Sequence, residues 1–536
     1  MNLLTRYLIC AASLLACAGL SAQNLNPQVQ VTNDYEARMG EAAKKGVALE
    51  VPDTLSEFRT SVDYKVFRTE YKGSYEFHPY RISVAPEVRD NGASRAWLRA
   101  GAGYSFHPVL QGVYAVKRKG LLRGSLFQDF HGYAGQYASA VDARSFDGRD
   151  FSETAGADFR LNNVKYDLSG TLAYKGLFTK DSDLTSNSNG LALDGHIVSS
   201  SESAVSYDVR AGASYTDDHL IGAGISHVRE TALHASGRFI PRLMLPVDVL
   251  IDFGVEGAFY ASKVYDPLFC YNIAPKVVYE YDILRLQGGV VLNAGSDGLG
   301  LAPDLRASAR LMRGDMELAA YLTGGRKANS YGSFKTADHW FNPGYTADLS
   351  TTVIRYDAGL SLSGVAFRYL QYSVRGGYAS TADAPVDFLA AGVVNPALFD
   401  CGIMYADYRS WYADALLAWK DERLDADFRL GWRNTDAAAG AAWLDLPHIR
   451  CGGKALYNWN GRVSAGVRFE ASGERRSAVS DVDGWVDLGF CGEYCLMNGI
   501  SFWAQAGNML NHSIALSPTH VAKGPFFTAG ICLKIR

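Results

Sequence analysis

Between Val247 and Tyr260 (VDVLIDFGVEGAFY) the chain alternates with a period of two residues. Val247, Val249, Ile251, Phe253, Val255 and Phe259 fall on one side of an extended strand, and Asp248, Asp252 and Glu256 fall on the other. No helix sorts these residues in this way. The run exceeds an ordinary globular strand and approaches the ~9–11 residues that a tilted strand needs to cross a bilayer. The pattern returns in Val164–Tyr174, Val205–Thr216, Leu424–Arg433 and Arg462–Ala471. Counting such runs from Arg95 onward predicts an all-β chain: a transmembrane antiparallel β-barrel of about 20–22 strands over residues 95–536.

Mean hydropathy is −0.07 and 48% of residues are hydrophobic, values a soluble protein could share. Beyond the N-terminal region there is no apolar run long enough for a membrane helix, which excludes a helical membrane protein. In a barrel every second residue faces a polar lumen, so the mean stays near zero. The 31 Tyr and 25 Phe suit aromatic girdles at the membrane interfaces. A formal net charge of −4 without a basic cluster argues against a nucleic-acid partner.

Residues 1–22 read as an export signal, with Arg6 as the positive region, Tyr7–Leu20 as the apolar region and Leu20-Ser21-Ala22 before the cut. The mature chain then starts at Gln23, and Leu14-Leu15-Ala16-Cys17 is the competing lipoprotein-type site. Residues 23–94 form a separate, short N-terminal segment, periplasmic or luminal, in which Pro79 and Pro86 interrupt aromatic runs. Its start, Val29-Gln30-Val31-Thr32, is an extended peptide suited to adding a strand to another sheet. Residues 24–48 are therefore the candidate contact for a periplasmic or energy-coupling partner. Outer-membrane lipid is the other expected partner.

The chemistry-bearing motifs of enzymes are missing from the sequence, so no catalytic, cofactor-binding or metal-binding residues are nominated. His131, His196 and His234 each fall on a polar strand face beside Asp or Ser, as members of a lumen hydrogen-bond network would. Six cysteines follow the signal, and their pairing is open; Cys491 and Cys495, on one strand, are too far apart to bridge unless a turn separates them. The functional surface is the lumen wall, to which the alternation assigns Asp208, Arg210, Asp248, Asp252, Glu256, Arg429, Arg433, Arg468 and Glu470. Such a balanced set pairs across strands or lines a hydrophilic path of low ion selectivity. Lys180–Gly190 and Ser472–Gly484, rich in Ser, Asp, Gly or Asn, read as turns, and Gly324–Ser350 and Ala379–Cys401 as longer extracellular loops.

The last forty or so residues carry a family resemblance. Ile500–Asn508 (ISFWAQAGN), Met509-Leu510-Asn511, Lys523-Gly524-Pro525-Phe526-Phe527 and the closing Thr528–Arg536 (TAGICLKIR) resemble the end of TonB-dependent outer-membrane receptors. The departure is the final Ile535-Arg536 where that family ends on an aromatic residue. The resemblance implies a receptor-type barrel in the outer membrane, and the region before Arg95 is too short for the family's globular plug. The expected function is transport or channel activity. The alternatives are a structural or partner-binding subunit of an outer-membrane assembly and, third, an outer-membrane hydrolase.

Overall fold

The computed structural model describes residues 95–535 apart from short turn and loop segments, the longest being 390–400 and 438–446. The expectations for the signal at 1–22, the segment 23–94 and the coupling peptide 24–48 lie outside the described residues.

Twenty-two strands form one closed antiparallel barrel, each paired with the next along the chain. Closure is made by Ala96–Tyr104 against Phe526–Ile535, in register from Ala96↔Ile535 to Tyr104↔Phe527. Closure leaves no free sheet edge, which is what allows strands to lie in hydrocarbon. The strands Asp248–Tyr260, Tyr166–Lys180, Val205–Ile221, Leu424–Ala437 and Val463–Ser472 occupy the segments where alternation is cleanest. Arg475–Arg476 pairs with Asp481–Val482 apart from the barrel sheet, whereas Ile514–Ala515 pairs with His520–Ala522, which itself adds to the barrel by pairing with Tyr137, Ala138 and Ser139.

An even strand number puts both ends of the barrel chain at the same rim. The turns at that rim are tight. Asn460 and Gly461, at φ 52° and 69°, lie in the three-residue connection between Ile449–Trp459 and Val463–Ser472, where the Arg462 N–H donates to the Trp459 carbonyl at 3.1 Å; positive φ at two successive residues is a conformation that Asn and Gly adopt more readily than other residues. At another turn Asp421 accepts from the backbone N–H groups of Arg423 and Leu424, each at 2.7 Å. Those donors hold its carboxyl below the usual range. The opposite rim carries the long connections, an asymmetry that marks the extracellular side of such barrels.

Ile251, Val255 and Phe259 are exposed on one face of their strand, while Leu250 and Ala258 of the other face are buried. The exposed apolar belt is the lipid-facing surface. Among the described residues no helix is long and apolar enough to cross a membrane.

Two loop expectations are corrected. Lys180–Gly190 is not a turn: Tyr166–Lys180 and Thr185–Ser199 leave only 181–184 between them. Ser186 and Ser188 are buried on the inward face, where the Ser186 hydroxyl donates to Asp218 at 2.8 Å. Polar residues are at home on a wall facing the lumen, so Ser content marks a turn poorly there. Ala379–Leu389 is likewise strand, continuing Leu370–Leu389 past a bulge between Thr381 and Ala384 into pairing with Cys401; only 390–400 lies outside the described residues. Cys491 and Cys495 share the strand Trp485–Met497, and Cys270, Cys451, Cys491, Cys495 and Cys532 are free thiols.

Candidate functional site: the lumen wall and an inward-folded loop

The connection after Met316–Ala328, within the stretch Gly324–Ser350 read as a longer extracellular loop, folds into the barrel, and Gly324–Ala328 of that stretch is strand. Asn329 closes its base by donating to the Ser350 carbonyl at 3.0 Å and the Thr352 hydroxyl at 2.8 Å. Ser330 caps the short helix Tyr331–Ala337 by accepting from the Ser333 N–H. Asn342 then accepts from Gly344 N–H at 2.8 Å and sets the 3-10 turn Pro343–Tyr345.

The loop meets wall residues far away in the chain. The Tyr331 hydroxyl donates to Asp218 Oδ2 at 2.5 Å, and Gly332 N–H lies 3.2 Å from both oxygens of Glu230. Tyr260 bridges the two anchors, its hydroxyl donating to Glu230 at 2.8 Å and accepting from Tyr331 N–H at 3.2 Å. His339 Nδ1 sits 2.9 Å from Asp150 Oδ2, the Tyr265 hydroxyl donates to the Pro343 carbonyl at 3.2 Å, and Ser350 N–H donates to the Tyr405 hydroxyl at 2.8 Å. Trp340 stacks on His520 at 4.4 Å. Around these contacts lies an apolar core that includes Leu220, Val228, Leu268, Tyr331, Phe341 and Ile403. The loop contributes Tyr331, Phe341 and Leu349 to this core, and the wall strands with their other connections contribute the rest.

The loop also carries buried charge. Lys335 is 3% exposed, with Nζ 3.8 Å from Asp218 and 3.4 Å from the Phe341 carbonyl. Burial pulls this ammonium below its usual range against the pull of Asp218. Burial pushes the Asp338 carboxyl up, although it accepts from Trp340 N–H. For His339 burial lowers the imidazole, but the hydrogen bond and charge of Asp150 outweigh it and leave it raised. Asp338 Oδ2, Trp340 Nε1 and Asn342 Nδ2 are buried without a protein partner. Each such atom costs ~1–3 kcal/mol of desolvation unless water reaches it, which tempers the grip of the docked loop.

The loop contacts also fix which strand face is inward. Asp208 and Arg210 share the face of Asp218, and Asp248, Asp252 and Glu256 share the face of Tyr260. Asp208 pairs with His196 Nε2 at 2.8 Å, while Arg210 stands opposite His196 and Ser236 in the register. Asp252 binds Arg238 through both oxygens at 2.6 and 2.9 Å and Lys276 at 2.8 Å; Lys276 reaches on to Asp304. Glu256 accepts from Ala328 N–H at 2.9 Å, which fastens the start of the loop. Asp248 opposes Val278, near the start of its strand. On the far wall Arg429 lies 3.8 Å from Asp427, Arg433 opposes Tyr412, Arg468 lies 3.7 Å from Asp487, and Glu470 pairs with Arg450 at 2.7 Å. The nominated charges thus join several local cross-strand pairs and no single constellation. His131 and His234 approach Asp129 and Asp194 at 3.4 and 3.2 Å, completing the histidine–carboxylate pattern.

Sequence reasoning missed Asp150, Asp218, Glu230 and the whole loop constellation. One signal was available: Tyr331, Phe334, Trp340, Phe341 and Tyr345 crowd a turn-rich stretch, and so many rings are costly to leave in water.

No family model and no curated protein sequence matches the chain. Solved structures do. The copper transporter OprC matches over 82% of this chain and 80% of its own, with 12% identity and a TM-score of 0.59. The FrpB iron transporter from Neisseria meningitidis, F3-3 variant, matches over 82% and 81%, with 10% identity and a TM-score of 0.60. A mutant of the ferric enterobactin receptor PfeA from Pseudomonas aeruginosa matches over 82% and 79%, at 9% identity and 0.58. The fold is that of a TonB-dependent receptor barrel. The resemblance read from the last strands thus extends to the barrel as a whole, and at these identities the likeness is one of fold.

Proposed function

We propose that this protein is an outer-membrane transport barrel whose extracellular mouth is closed by the loop 329–350, and that passage requires the loop to leave Asp218 and Glu230. One observation carries the reading: a connection at the rim read as extracellular is anchored by buried carboxylates inside a wide, charge-lined lumen. The solved relatives of this fold named above, a copper transporter, an iron transporter and a ferric siderophore receptor, support transport as the class. An energy-coupling partner acting through residues 24–48 and a sealing role for residues 23–94 belong to the same proposal.

Liposome swelling with sized sugars tests it. The full chain, a chain lacking residues 332–347, and each of these without residues 24–94 are compared. Solute entry that rises on loop removal in either background supports a gated path. No entry in any of the four proteins, with the barrels folded, removes transport and favours the structural subunit.

A further inference from the structure

On the outer side of the same wall, two histidines and an aspartate converge. The hairpin Val205–Ile221 and His227–Pro241 pairs His219 directly with His227, and their rings stack at 4.2 Å and 17°. Asp217 lies two residues before His219 on the same face. Its Oδ1 is 3.7 Å from His219 Nε2 and in direct contact with His227 Nε2. One ligand atom from each residue falls within 4.8 Å of the others. This face is opposite to that of Asp218 and Glu230, which hold the inward loop, so the cluster looks away from the lumen near the extracellular rim.

We infer that Asp217, His219 and His227 form a binding site for a divalent transition-metal ion. Two imidazole nitrogens and one carboxylate oxygen on one side of a metal leave its remaining positions open to water or an anionic ligand, a donor set that suits Zn2+, Cu2+ or Ni2+ and not Mg2+ or Ca2+. The register fixes the donors, since two come from directly opposed residues of one hairpin and the third from the same strand face. Arg229 supplies the positive charge at this point: its Nε donates to His227 Nε2 at 3.2 Å and lies 3.6 Å from Asp217 Oδ1. A guanidinium held by the same lone pairs is a competitor, and an exposed side chain can swing aside for a metal.

The test titrates the purified full-length protein in detergent with Zn2+ by calorimetry, and with Cu2+ by electron paramagnetic resonance. The expected result is a site with two-nitrogen hyperfine coupling whose affinity falls at least ~10-fold in His219→Ala/His227→Ala and in Asp217→Asn. Arg229→Gln should tighten binding, and millimolar Mg2+ should not compete. Folding of every variant is checked by its heat-modifiable mobility on a gel; should the double variant not fold, the single His227→Gln carries the comparison. Binding that is absent in the native protein, unchanged in the folded variants, or displaced equally by Mg2+ overturns the assignment.

Discussion

Replacing Tyr331 by Phe removes one oxygen from the loop and little else. The side chain is 0% exposed, and its hydroxyl donates to Asp218, itself 0% exposed. The phenyl ring keeps its packing against Phe341 and Tyr265 at centroid distances of 5.6 and 6.5 Å. Asp218 keeps Ser186 at 2.8 Å and, more distantly, Lys335 at 3.8 Å. A hydrogen bond to a charged group contributes ~1.5–3 kcal/mol, and 1.36 kcal/mol is a factor of ten, so the undocked population should rise roughly 10- to 150-fold. Native-state hydrogen exchange reads this directly, because protection reports the free energy of local opening. The amides of Phe334 and Asp338, bonded to the carbonyls of Ser330 and Phe334 at 3.2 and 2.8 Å, should lose protection by that factor while mid-barrel strand amides keep theirs. The double variant Tyr331→Phe/Asp218→Asn should be less than additive, since both substitutions act on one bond. Unchanged exchange in the loop, or equal acceleration throughout the barrel, would refute the anchoring role.

Loop docking should also depend on pH through His339, whose folded pKa is raised by Asp150 despite burial. Its contribution is fully present below the unfolded value of ~6.5 and is lost as pH rises through the higher folded value, so exchange of the loop, corrected for intrinsic rates, should speed up on the alkaline side, and His339→Gln should flatten that profile. Phe253→Arg on the lipid face should cost ~2–4 kcal/mol in a barrel-folding assay if Phe253 lies near the bilayer midplane. Asp252→Asn, which weakens the bonds to Arg238 and Lys276, should cost ~1–3 kcal/mol; indistinguishable stability of this variant and the native protein in the same assay would count against the network. Mass spectrometry of the mature N-terminus should find Gln23 and no acyl chain on Cys17.

The barrel was legible because its code is short-range. A period of two is visible inside any single strand, and Val249, Phe253, Tyr207, Leu168 and Phe428 could be set apart from Asp252, Asp208 and Asp167 with no knowledge of neighbours. The inward loop follows no such period. Its partners lie 113 residues away for Tyr331 with Asp218 and 189 for His339 with Asp150, and no local pattern specifies contacts across a lumen. Turn chemistry misled for a related reason: Ser186 and Ser188 are wall residues in a place where polar groups have partners, so composition resembles a loop while pairing makes a strand.

Asp217 and Asp218 show where that reading runs out. They are adjacent, chemically identical and near the end of one strand, and alternation requires only that they point apart. Which of them is inward is shown by the loop contacts, Tyr331 on Asp218 and Gly332 on Glu230 of the neighbouring strand. Once those contacts are known, parity sends Asp208 and Arg210 inward and Asp217 and His219 outward, and the pairing His219↔His227 carries the assignment to the next strand. Two carboxylates one residue apart thereby acquire unrelated partners, a buried tyrosine hydroxyl on one side of the wall and a pair of imidazoles on the other. The step from one to the other is a register, and a register is a property of pairing that no residue holds alone.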